Sequence, residues 1–118
     1  MLRKDYIVVV ETDDLIRELL ERWLGEAGYV VAAELPINGG QPPVLVIADI
    51  CNPLHAEAAL PGLQARYLAP LLVLSARFRR GLGASRTAAR RLGVRSVLPK
   101  PFTRAELLTA VRESIKGA

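Results

Sequence analysis

One cysteine, Cys51, and one histidine, His55, stand in 118 residues. A lone thiol excludes an internal disulfide framework and fits a reducing compartment. With no second histidine and no cysteine at ligand spacing, His55 reads as a surface or helix-start residue rather than a catalytic one. Long apolar runs are also missing. No stretch approaches the roughly 20 residues that span a bilayer, and Met1-Leu2-Arg3-Lys4-Asp5 leads into only five apolar residues before Glu11, too few for a signal peptide. A soluble, cytoplasmic chain without membrane contact is therefore expected. Aromatic residues make up 5%, so the stacking platforms of single-strand nucleic-acid binders are not available.

Acidic residues are scarce in one half only. Residues 1–57 carry four basic and ten acidic side chains, whereas residues 58–118 carry twelve basic and two acidic, which together give the net charge of +4. Seven arginines and no acid lie between Arg77 and Arg95. Such a single-sign stretch suits a docking surface for an acidic protein better than one for nucleic acid. A hydrophobic content of 51% is ample for one core, and the length predicts a single domain over 1–118.

The apolar residues are grouped. Tyr6 to Val10 is a β-branched run without polar alternation, as expected of a strand covered on both faces. Leu15, Ile16, Leu19, Leu20, Trp23 and Leu24 recur at helical spacing, opened by Asp13 or Asp14 as N-cap and closed by Gly28. Further strands are expected over 29–33, 44–48, 71–74 and 94–98, and a helix over 85–92. Thr103-Arg104-Ala105-Glu106 is a capping box for a last helix whose buried stripe is Leu107, Leu108, Val111 and Ile115. The connection 34–43 holds Pro36, Gly39, Gly40, Pro42 and Pro43, so the second crossover helix is expected to be shortened or absent. Residues 55–69 are helix-prone but broken by Pro61-Gly62, giving a short helix or two pieces. Strands alternating with helices predict an α/β fold, a doubly wound five-stranded parallel sheet with right-handed crossovers.

Three of the strands end on groups capable of chemistry. Asp49 closes Val44-Leu45-Val46-Ile47-Ala48, Ser75 closes Leu71-Leu72-Val73-Leu74, and Lys100 follows Val97-Leu98-Pro99. Open α/β sheets bind ligands outside the carboxyl ends of their strands, so a carboxylate, a hydroxyl and an ammonium meeting there form a candidate site. Glu11 and Asp13 end the first strand and add carboxylates that suit magnesium, a hard cation satisfied by one or two carboxylates and several waters. Asp49 then serves as nucleophile for a phosphoryl group, Ser75 as donor to a phosphoryl oxygen and Lys100 as its counter-charge. Gly81-Leu82-Gly83 is not a dinucleotide turn, because no strand immediately precedes it and the third glycine is missing. The same absence of a phosphate-cradling glycine loop argues against a flavodoxin-type cofactor enzyme.

With these residues in place, the sequence resembles the receiver domain of two-component response regulators (the CheY-like superfamily, with its flavodoxin-like sheet) over essentially its whole length. The likeness rests on Val8-Val9-Val10 followed by acids and Ile16-Arg17-Glu18-Leu19-Leu20, on Val46-Ile47-Ala48-Asp49 with Pro53, on Val73-Leu74-Ser75-Ala76, and on Lys100-Pro101-Phe102. It implies a phosphoacceptor domain rather than an enzyme: Asp49 takes a phosphoryl group from a histidine kinase or phosphotransfer protein, with Ser75 the switch hydroxyl and Lys100 the paired cation. It also implies a cis peptide at Lys100-Pro101 and magnesium held by Glu11, Asp49 and the backbone carbonyl of Cys51, with Asp13 as a further candidate.

Four departures accompany the likeness. Thr12 replaces the acid expected to bind the metal directly, which weakens Mg2+ affinity unless Glu11 or Asp13 moves in. Val97 stands at the aromatic switch position. The second crossover helix is curtailed, and the segment after Ser75 is slightly longer than usual and wholly basic. In the family the responding face comprises the fourth helix, last strand and last helix, here carrying Arg86, Arg90, Arg91 and Arg95. These arginines favour an acidic downstream protein and disfavour a symmetric dimer. The alternative is a pseudoreceiver, a phosphorylation-independent binding module on the same fold, to which Thr12 and Val97 point.

Overall fold

The computed structural model describes residues 6–11, 13–32, 43–49, 62, 69–75, 87, 89–90 and 93–116. The connection 34–42, most of 55–69, Thr12, Cys51, Arg86 and Arg91 lie outside the described residues, and with them the expectations placed there.

Five strands form one parallel sheet. They are β1 (Tyr6–Val10), β2 (Val30–Ala32), β3 (Leu45–Asp49), β4 (Leu71–Ser75) and β5 (Ser96–Pro99), in the spatial order β2-β1-β3-β4-β5. Helix α1 (Asp14–Glu26) joins β1 to β2, and α2 (Arg104–Lys116) follows β5. Thr87, Ala89 and Arg90 are helical, inside the predicted 85–92 segment. The five-stranded, doubly wound α/β architecture read from the sequence is the one observed, with strand ends differing by one or two residues. The fold is that of the flavodoxin-like, CheY-like sheets.

Alternation along the strands divides the core into two layers. On one face Ile7, Val9, Leu45, Ile47, Leu72 and Leu74 pack with Leu20 and Leu24 of α1 and Leu107 and Val111 of α2. On the other, Val8, Val46, Leu71, Val73 and Val97 pack with Ala89. Strands buried on both faces need no polar alternation, which explains the unbroken β-branched run of β1. Val97 belongs to this second layer and is 6% exposed.

Local chemistry sets the helix ends. Of the two candidate caps for α1, Asp13 takes the role: its Oδ1 accepts from the Leu15 and Ile16 amides at 2.9 and 3.1 Å. At the other end Gly28 adopts φ +97°, a conformation that costs an L side chain strain, and the Gly28 and Tyr29 amides return to Gly25 O and Leu24 O. The capping box of α2 is complete. Glu106 N donates to Thr103 Oγ1 (3.1 Å) and Thr103 N to Glu106 Oε1 (2.9 Å).

Candidate functional site

The strand order reverses between β1 and β3: α1 carries the chain from β1 outward to β2, and β3 then returns to the opposite flank of β1. A doubly wound sheet opens a crevice at such a switch point, at the carboxyl ends of the two diverging strands. Val10 pairs with Ala48 in the register, so Glu11 and Asp49, each the next residue along, face that crevice side by side. On the far side of β3, Asp49 pairs with Leu74 and Ser75 with Pro99. That register sets Ser75 one step beyond Asp49 and brings the residue after Pro99 to the same edge. The Lys100 amide donates to Ser75 O at 3.0 Å, extending the β4–β5 ladder by one bond.

The side chains of Lys100, Asp49 and Glu11 meet at this edge. Lys100 Nζ lies 2.7 Å from Asp49 Oδ1 and donates to Glu11 Oε1 at 3.1 Å. All three are withdrawn from solvent, with side-chain exposures of 1% for Glu11, 10% for Asp49 and 16% for Lys100. Ser75 is fully buried. The Lys100–Pro101 peptide is cis.

Two carboxylates and one ammonium leave the cluster one negative charge in excess when all are ionised. Burial, which disfavours the charged form, raises the Glu11 carboxyl above its ordinary value; the nearby charge of Asp49 adds to this, and the Lys100 hydrogen bond opposes it. For Lys100 burial is again the largest single effect and would lower the ammonium. The hydrogen bonds and charges of Asp49 and Glu11 together outweigh it and hold Lys100 above the usual lysine value. The lysine is therefore a fixed cation throughout the physiological range.

Glu11 Oε2 is buried without a hydrogen-bond partner. An ionised carboxylate oxygen in that position is costly unless a cation or water meets it, and it is the observation by which the site suits a hard divalent ion. Glu11 and Asp49 supply the two carboxylates that magnesium usually takes from protein. Among the described residues no group of three His, Cys, Asp or Glu side chains could hold a metal ion. Asp13, the further candidate, has its Oδ1 committed to the α1 cap.

Of the predicted partner-face arginines, Arg90 and Arg95 are described and both are exposed. Arg95 lines a groove of about 560 Å³ between β5 and α2, together with Ala89, Val97, Glu106 and Glu113. Glu11, Asp49 and Lys100 are not among the residues lining this groove, so it is separate from the carboxylate site. Its α2 wall is acidic, which the count of arginines alone did not suggest.

Three contacts escaped the sequence reading. Lys100 engages Glu11 as well as Asp49. Trp23 of α1 meets Phe102. Arg17 Nη1 donates to Glu11 O at 3.3 Å while its Nη2 bonds Asp14 Oδ1 at 2.6 Å. Only the Arg17–Asp14 pair has a sequence signal, its i,i+3 spacing on a helix.

No protein-family model matches the chain. It is 31% identical over 120 aligned residues to response regulator MprA of Mycobacterium ulcerans, a match covering 93% of the chain and 50% of that protein. In three dimensions it is similar to a response regulator receiver protein from Burkholderia phymatum, with a TM-score of 0.73, 21% identity and 96% of each chain covered. The fold of the chain is that of CheY-like receiver domains. A response regulator from Thermotoga maritima is similar as well, with a TM-score of 0.70 and 18% identity over 97% of this chain and 99% of the other. These two structural likenesses establish the fold. The chain spans about half the length of the curated relative it matches. Among the described residues no helix is long and apolar enough to cross a membrane.

Proposed function

We propose that this receiver domain accepts a phosphoryl group on Asp49 from a histidine kinase or phosphotransfer protein and signals by protein contact. The observation that carries this reading is the 2.7 Å pairing of Lys100 Nζ with Asp49 Oδ1 at the switch point of the sheet. An aspartate oxygen beside an ammonium is placed to act as nucleophile toward an anionic phosphoryl donor. One Asp49 oxygen attacks phosphorus, the bond from phosphorus to the donor's imidazole nitrogen breaks, and the leaving imidazole keeps the electron pair. Lys100 neutralises charge on the phosphoryl oxygens, and the Ser75 hydroxyl, one register step beyond Asp49, serves as hydrogen-bond donor to one of them. The domain acts as an acceptor and at most assists its own transfer and hydrolysis.

Magnesium, held by Glu11 and Asp49 with the Cys51 carbonyl as a third expected ligand, would screen the approach of the anionic donor. The orphaned Glu11 Oε2 supports its presence; Thr12 in place of an acid argues for weak affinity. For the downstream partner we propose acidic side chains set against Arg90 and Arg95 and clear of Glu113, and a chain that does not pair with itself through this face. A sedimentation run showing a salt-insensitive dimer on that face would overturn the latter.

A second reading is favoured by Thr12 and by Val97, whose short side chain lies in the apolar layer and offers no ring to swing. In this reading the domain is a pseudoreceiver that binds partners without phosphorylation. Incubation with acetyl phosphate, phosphoramidate and magnesium separates the two. Gain of one phosphoryl mass by the wild type and not by Asp49→Asn supports phosphoacceptance; no gain with either donor assigns the domain to the second reading.

A further inference from the structure

Glu11 is held at two points by two different cations. Lys100 takes its side-chain Oε1 at 3.1 Å, and Arg17 takes its main-chain oxygen at 3.3 Å. The Arg17 fork also grips Asp14 Oδ1 at 2.6 Å, so one arginine side chain, 35% exposed, ties the residue that follows β1 to the first residue of α1. The remaining oxygen, Glu11 Oε2, is the one that finds no partner although the side chain is 1% exposed.

A carboxylate oxygen would normally rotate or shift to relieve such isolation, since the cost of a buried unpaired acceptor exceeds that of a modest side-chain adjustment. Here both ends of the residue are pinned, and the strand before it is locked in the register Val10↔Ala48. We infer that Arg17 is a positioning residue for the cation site: by fixing the Glu11 backbone to α1 it holds the unpartnered Oε2 in place for magnesium. Arg17 touches neither the phosphoryl group nor the metal in this scheme. It acts through Glu11, as outer-shell partners of metal ligands do. A planar guanidinium fits the role because it reaches two acceptors at once, which a lysine ammonium on a single flexible stem does less well. This inference rests on the magnesium reading above and assigns the residue on which the affinity depends.

The test exploits a conflict of sign. Deleting a positive charge beside an anionic site strengthens cation binding by electrostatics alone, so a weakening identifies lost positioning. Magnesium chloride is titrated calorimetrically into the full chain as wild type, Arg17→Met, Arg17→Lys and, as charge control on the same helix, Arg22→Met. Arg17→Met is expected to bind magnesium about tenfold more weakly, Arg17→Lys to recover part of the loss, and Arg22→Met to bind as well as the wild type or better. Urea denaturation without metal checks that each variant is folded; should Arg17→Met fail there, Arg17→Lys carries the comparison. Wild-type affinity retained or improved in both Arg17 variants overturns the inference and leaves the phosphoacceptor reading intact. Absence of magnesium binding in the wild type overturns the metal site itself, and this inference with it.

Discussion

Trp23 and Phe102 meet edge to face, with ring centroids 6.4 Å apart and planes inclined at 67°. The contact joins α1 to the segment that carries Lys100, because Phe102 is two residues beyond the lysine. A second tie, Arg104 Nη2 to Glu26 Oε1 at 3.4 Å, links α1 to the start of α2 between exposed side chains. The sole tryptophan is thus in contact with the lysine loop.

Emission from Trp23 should report events at the site. Addition of magnesium or acetyl phosphate is expected to change the indole fluorescence of the wild type, and Phe102→Leu to reduce that change by at least about half, since offset and edge-on aromatic pairs owe part of their energy to ring geometry. An undiminished response in the variant would show that the signal reaches Trp23 by another route.

Stability without metal should fall as pH rises through the acid range. The folded Glu11 carboxyl keeps its proton above 4.5, the value expected of the unfolded chain. Raising the pH therefore ionises the unfolded state first and stabilises it relative to the native one. The contribution from Glu11 is fully present below 4.5 and disappears as pH passes the raised native value. Lys100 acts at the other end: its stabilising contribution is complete below 10.5 and lost as pH climbs through its raised native value. Urea midpoints measured against pH should show the acid-side slope in the wild type and a flatter one in Glu11→Gln.

Leu74→Ala is expected to cost about 2–5 kcal/mol, the range for emptying a fully buried leucine position. Leu74 is 0% exposed and packs in the layer shared with α1 and α2, on the sheet face opposite to its neighbour Ser75. Leu15→Ala, at a position 78% exposed, should stay within about 0.5 kcal/mol of the wild type. Chemical denaturation of the pair measures both.

Asp13→Ala should cost about 1 kcal/mol through loss of the α1 cap, whereas Asp13→Asn, whose amide oxygen still accepts from the helix amides, should cost only a few tenths. Equal losses in the two variants would point to the charge of Asp13, rather than its hydrogen bonds to Leu15 and Ile16, as the stabilising feature.

Much of this was legible before the structure because buried parallel strands and amphipathic helices leave coarse, redundant signals. The β-branched run of β1, the helical spacing through Leu24 and the Thr103–Glu106 box each specify an element locally, and the order of elements restricts the sheet to few topologies. The pairing of Asp49 with Lys100 followed from that order, since every carboxyl end of a parallel sheet lies on the same edge. What sequence could not convey is which oxygen each cation selects. The Lys100–Glu11 pair spans 89 positions, and the Arg17 bond goes to a main-chain atom, which no residue type advertises. The choice between Asp13 and Asp14 as cap was likewise open, because both are good N-caps and only the extended backbone of Asp13 decides.

The backbone on which Lys100 rides is moored on both sides: its own amide is bonded to Ser75 O, and the reciprocal bonds of Thr103 and Glu106 close the turn into α2 a few residues later. Such a mounting works like a swivel lamp clamped at its base. The charged tip can turn about the four methylenes of its stem while the sheet edge beneath it is fixed, so an anion added to Asp49 would be met without remodelling the framework.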